Sequence, residues 1–242
     1  MDFDKIKTRL SSLNSLIANK KISERLNKDN QLNSRMSVVL HSLYDIETIA
    51  IRLNRNIILV KDINRKIQSR NRDEDKQEIG SIGQQLRKDA ECINRENFLD
   101  LKTLHIFVKI FLDDFTELMR FIFNWRDIGD RSITKFYNSL KKYSGDDVDI
   151  IAFKEKCFFV IEKIIDLIVD HRDHGIVHNQ QKHKQSIWSI NDMRGNVMQV
   201  AVLSPGVERS SLNQHDLLEL LFEYLDLSVG FMEDSFKMKQ GS

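Results

Sequence analysis

Ten consecutive residues, Asp170-His171-Arg172-Asp173-His174-Gly175-Ile176-Val177-His178-Asn179, form the densest group of titratable and polar side chains in the chain. Four of the seven histidines lie between positions 171 and 183. A histidine takes or gives a proton near neutral pH, and an arginine is a permanent cation whose donors match phosphate oxygens. Held together, the two fit phosphodiester chemistry: the histidine as general base or acid, the arginine stabilising charge on the phosphate. The residues upstream bear on the arginine. Ile161, Ile165 and Ile168 mark a buried helical stripe, and Arg172, four residues after Ile168, extends that seam. A guanidinium there needs an anion or a partner, because burying it alone is costly. Six steps separate Arg172 from His178, about 600° of rotation on an ideal helix, which sets them on different faces. They converge only if the chain turns between them, and Gly175 permits that turn.

The segment Arg172 to His178 resembles the motif of the HEPN superfamily: an arginine, a polar residue next to it, and a histidine after four to six intervening residues, at the end of a long apolar helix. Five residues intervene here, and Asp173 fills the polar position. The resemblance covers residues 98–238 in helix order. It implies a helical bundle and a metal-independent endoribonuclease of the kind found in toxin–antitoxin, abortive-infection and other defence systems. Two protomers would line one cleft with their arginines and histidines, and the RNA 2′-OH would be the nucleophile, making RNA and not DNA the substrate. Arg172 would stabilise the phosphorane, His178 would transfer a proton and Asp173 would orient the pair. His174 and Asn179 are candidates for assisting groups, and Lys182, Lys184 and Arg194 for RNA contacts. No cofactor and no metal are implied; the partners would be RNA, a second copy of the chain, and an antitoxin or other protein.

Other readings of the same residues stay open. Arg172 can cap the C-terminal end of its helix, where the dipole favours cations, with Asp173 as a local ion-pair partner. The chain is then a non-catalytic helical interaction or RNA-binding protein. Alternatively His174 and His178, spaced i and i+4, are ligands of a metal-dependent hydrolase built on the His171–His178 cluster. Gly175 weakens that helical spacing and stands where the zincin motif has its glutamate. His215-Asp216 resembles an HD dyad without identifiable further ligands. No GxxxxGK[ST], GxGxxG or GxSxG is present, which removes phosphate-cradling loops and the nucleophile elbow.

The elements that must position these residues are helices. Leu32, Met36, Val39, Leu43, Ile46, Ala50, Leu53, Ile57 and Val60 alternate steps of four and three, which predicts one long helix with a continuous seam. Phe3, Ile6, Leu10, Leu13 and Ile17 predict a shorter one, and Ile79, Ile82, Leu86, Ala90 and Ile93 restart the stripe after the wholly polar run 70–78. From Leu101 to Trp125 the apolar face is wide, as in the middle of a bundle. A short helix over 131–143, a capped helix from Asp147 through Ile168, and a last helix over 211–236 follow. Between the last two, 186–190 and 197–203 read as the strands of a β-hairpin closed by Ser204-Pro205-Gly206. The expected class is mainly α, a multi-helix HEPN-like bundle with one small β-hairpin near 186–203.

Composition agrees. Across 242 residues there are one proline and nine glycines, too few turn formers for an all-β sandwich. Cys92 and Cys157 sit in no CxxC pair, no apolar run reaches membrane-spanning length, and the charged N-terminus lacks a signal-peptide core. The expectation is a cytoplasmic protein with no membrane partner. The net charge of +1 divides into +5 for residues 1–97 and −4 for the remainder. This supports an N-terminal helical module at 1–97 and a HEPN-like domain at 98–242. Residues 52–72 alone carry seven basic side chains against Asp62, able to contact phosphates or to form the solvated face of a helix. The seams at 3–17 and 32–60 read as core, with one strip available for dimerisation or an antitoxin.

Overall fold

The structure, a computed structural model, describes residues 3–17, 29–70, 78–126, 128–129, 132–170, 185–191, 197–203 and 214–240. Among them are six helices and one hairpin: α1 (Phe3–Ile17), α2 (Asp29–Arg70), α3 (Glu78–Phe123), α4 (Ile133–Lys142), α5 (Val148–Asp170), β1 (Gln185–Asn191), β2 (Val197–Leu203) and α6 (Gln214–Gln240). This is the mainly helical bundle that the periodicity predicts. β1 and β2 pair antiparallel with Trp188 opposite Val200 and Asn191 opposite Val197, at the expected place. No helix among the described residues is long and apolar enough to cross a membrane.

The boundary expected at 97/98 falls inside α3, which continues from Glu78 to Phe123 without a break. Contacts divide the chain differently. One compact unit comprises Met1–Glu47, His105–Asp173 and Leu212–Ser242; the other comprises Thr48–Leu104 and His174–Ser211. The charge division of +5 and −4 recurs on these new lines. The second unit holds 16 basic and 11 acidic side chains, the first 21 and 25.

The first unit is packed around aromatic rings. Trp125 lies 5.4 Å from Phe153 and 6.2 Å from Phe136 between ring centroids, and Phe153 lies 5.3 Å from Phe231. Phe115 meets Tyr224 edge-on at 5.8 Å. Such pairs contribute about 0.5–1.5 kcal/mol each beyond their buried area. Two local devices bring Trp125 into this cluster. Asn124 adopts φ 54° and ends α3, and the Trp125 N–H donates to the Arg120 carbonyl at 3.1 Å, a Schellman-type cap. Gly129, at φ 37°, comes so close to α4 that a Cβ would lie 2.5 Å from the Phe136 backbone, so only glycine fits.

Polar contacts fix the helix order within this unit. Lys7 of α1 binds Glu47 of α2 at 2.9 Å, Arg35 of α2 binds Glu117 of α3 at 3.0 Å, and Arg9 binds Asp226 and Glu233 of α6. The second unit has a thinner core. Its fully buried described residues are Ile49, Ala50, Leu53, Asn56, Asp100 and Leu104, with Arg52 of α2 clamping Asp100 of α3 through two nitrogens.

Candidate functional site

Arg172, Asp173, His174, His178, Asn179, Lys182, Lys184 and Arg194 all lie outside the described residues. What is described is the helix leading to them. α5 begins with Asp147 as its cap, whose carboxylate accepts from the Ile150 N–H at 3.1 Å. It then buries Ile150, Phe153, Cys157, Val160, Ile161, Ile164, Ile165 and Ile168, the expected stripe and more. Ile168 is 1 % exposed, so the seam stays covered to the last turn of α5, which ends at Asp170, two residues before Arg172. That turn carries no basic side chain, which leaves the negative end of the helix dipole without an internal cation.

The described residues hold several other groups able to do chemistry. Cys157 Sγ lies 3.8 Å from Ser228 Oγ, and burial pushes the thiol up to about 12, with Ser228 pulling weakly the other way. A thiol so protonated is no nucleophile. The Tyr224 hydroxyl and Thr116 Oγ1 are buried in the same unit without a well-formed hydrogen bond, and burial raises the tyrosine above its ordinary value. Burial likewise raises Asp114, against a hydrogen bond from Ser42 at 3.1 Å. The Tyr137 hydroxyl donates to Glu162 at 2.5 Å, an interaction that raises the phenol. The Tyr137 hydroxyl also accepts from Lys141 Nζ at 3.4 Å.

An open groove of about 540 Å³ is lined by Asp4, Lys7, Thr8, Ser11, Ser12 and Tyr44. Its Lys7 ammonium is held by Asp4 at 2.8 Å and Glu47 at 2.9 Å and sits 4.6 Å above the Tyr44 ring, so its charge is already matched. No group of three or more metal-ligating side chains occurs among the described residues. His215 and Asp216 fall in the first turn of α6.

Sequence reasoning missed one buried charged arrangement. Lys109 of α3, 6 % exposed at its side chain, binds Asp113 at 2.5 Å, and Asp113 also accepts from the Ile133 N–H at 2.8 Å, thereby capping α4. Ser132, the residue at the N-cap, makes no such bond itself. The i, i+4 spacing of Lys109 and Asp113 was the available signal, but the cap joins residues twenty positions apart. The arrangement organises structure. No family model matches the chain, and no curated protein or solved structure is found similar to it.

Proposed function

We propose that the chain is a metal-independent endoribonuclease of HEPN type, acting as a homodimer in the cytoplasm as a toxin or another defence effector. The observation that carries this reading is α5. A long apolar helix, buried through Ile168 within a helical bundle, ends two residues before Arg172. That is the setting in which the resemblance expects its Arg-x5-His motif.

In this reading the 2′-OH of one ribose attacks the adjacent phosphorus and the next 5′-oxygen leaves, giving a 2′,3′-cyclic phosphate and a 5′-hydroxyl. His178 takes the 2′-OH proton or returns one to the leaving oxygen, as a general base or acid does. Arg172 stabilises charge on the non-bridging oxygens, and Asp173 orients the pair. Lys182, Lys184 and Arg194 contact phosphates at salt-dependent strength.

The test is incubation of the purified chain with RNA in EDTA, beside Arg172→Ala and His178→Ala variants. Cleavage by the wild type that disappears in both variants is expected. Loss of cleavage on adding EDTA would point to the metal-dependent hydrolase. An intact RNA pool would favour the second reading, a helical interaction protein, which exposed apolar residues on α2 also support.

A further inference from the structure

Residues 48–66 of α2 break the rule that an amphipathic helix hides its apolar side. The seam that is buried at Ile46, Ala50 and Leu53 becomes 39 % exposed at Ile57 and half-buried at Val60 and Ile63. Outside the seam, Ile51 is 63 %, Ile58 59 % and Leu59 43 % exposed. Single exposed isoleucines need no explanation, but these are grouped. Ile51, Arg55, Ile58, Asp62 and Arg65 follow steps of four, three, four and three, so they share one face, with Leu59 and Lys66 along its edge. Arg55, Lys61, Arg65 and Lys66 are exposed around the isoleucines. Arg65 meets Asp62 at 3.4 Å, whereas Arg55 and Lys61 have no carboxylate partner among the described residues.

We propose that the Ile51–Lys66 face of α2 docks an acidic amphipathic helix of a partner protein. Three observations select this occupant. Ile51 and Ile58 are seven residues apart, the repeat at which a second helix presents its own apolar residues. Basic side chains rim the apolar centre, and the unit that contains them carries a net +5, so carboxylates on the partner complete the match. RNA fits this face less well: bases bind proteins by stacking on aromatic rings, and 48–70 contains none, whereas exposed isoleucines lose nothing by meeting an apolar helix. The proposal is independent of the ribonuclease reading, since neither Arg172 nor His178 enters it.

The full chain is titrated into three labelled probes: a helical peptide of about three heptads with leucine at its a and d positions and glutamate at e and g, the same peptide with lysine at e and g, and a mixed-sequence single-stranded RNA. Fluorescence anisotropy is expected to give at least tenfold tighter binding of the acidic peptide than of the basic one, weakening as salt rises. Ile58→Asn and Arg55→Glu should each reduce that affinity about tenfold or more at unchanged helicity by circular dichroism, and Arg55→Glu should gain affinity for the basic peptide. Equal binding of the two peptides, or full affinity in both variants, overturns the proposal. So does RNA binding that is lost in Arg55→Glu but kept in Ile58→Asn, which makes the face a nucleic-acid surface. A dimer of the chain alone, dissolved by Ile58→Asn in sedimentation, overturns it in favour of a contact between copies.

Discussion

The two units use the same kind of helix to opposite ends. In the first, each helix buries a long stripe against others, and Phe111, Phe115, Phe136, Phe153, Leu118 and Leu225 show no solvent-accessible surface at all, while Val148 and Phe159 of α5 stay exposed outside it. In the second, the described stretches of α2 and α3 keep the same periodicity, yet Leu86, Ile93 and Leu101 are half-buried and Ile57, Ile58 and Leu59 exposed. Periodicity fixes which face of a helix is apolar; it does not fix how much covers that face. The first unit therefore holds the larger buried core, and the described helices of the second are less covered.

Substitutions can break that contrast. Phe153→Ala removes a fully buried ring in contact with Trp125, Phe136 and Phe231, and should cost about 3–5 kcal/mol in denaturant unfolding. Alkali should act on the same unit. Cys157 keeps its proton in the folded state up to about 12, while an unfolded thiol ionises above its ordinary value near 9.0. The unfolded state thus binds fewer protons in that window, and stability falls as pH rises through it. Tyr224, also raised by burial, acts in the same direction. Cys157→Ala should flatten this alkaline loss in a pH series of thermal melts. In the native protein a thiol reagent should label exposed Cys92 and spare Cys157 until denaturant is added.

Smaller effects sharpen the picture. Asp113→Ala leaves the buried Lys109 ammonium without its counterion and the Ile133 N–H uncapped, for an expected loss of about 2–3 kcal/mol. Gly129→Ala forces a side chain into a positive φ against the Phe136 backbone and should cost about 1–3 kcal/mol, read in the same unfolding experiment. Ile57→Ala in the second unit should cost under about 1 kcal/mol, because over a third of that residue is exposed in the folded state. A loss as large as that of Phe153→Ala would contradict the contrast between the units.

Much of this was legible in the sequence. The unbroken steps from Leu32 to Leu53 identify the buried face of α2, and the isoleucines of α5 do the same. The hairpin was legible because two runs of strand formers, 186–190 and 197–203, lie a few residues apart, and β1 and β2 pair there. Charge does not report where a helix ends: the +5 and −4 division is placed at 97/98, and α3 runs through that point from Glu78 to Phe123. The loss of cover beyond Leu53 was hidden for a related reason, since the seam runs on to Ile57 and Val60 regardless. The capping of α4 by Asp113 is a tertiary contact and leaves no local signature. The candidate catalytic residues lie outside the described residues, so their case rests on the spacing of Arg172 and His178 and on the helix that precedes them.

The most direct test of the central claim is the chemistry of the ends produced when the full chain is incubated with RNA in EDTA. The account predicts 2′,3′-cyclic phosphate and 5′-hydroxyl termini, no cutting where the ribose at the scissile position is replaced by deoxyribose, and none by Arg172→Ala or His178→Ala. RNA left intact by the wild type, or cleaved equally well by either variant, would contradict it.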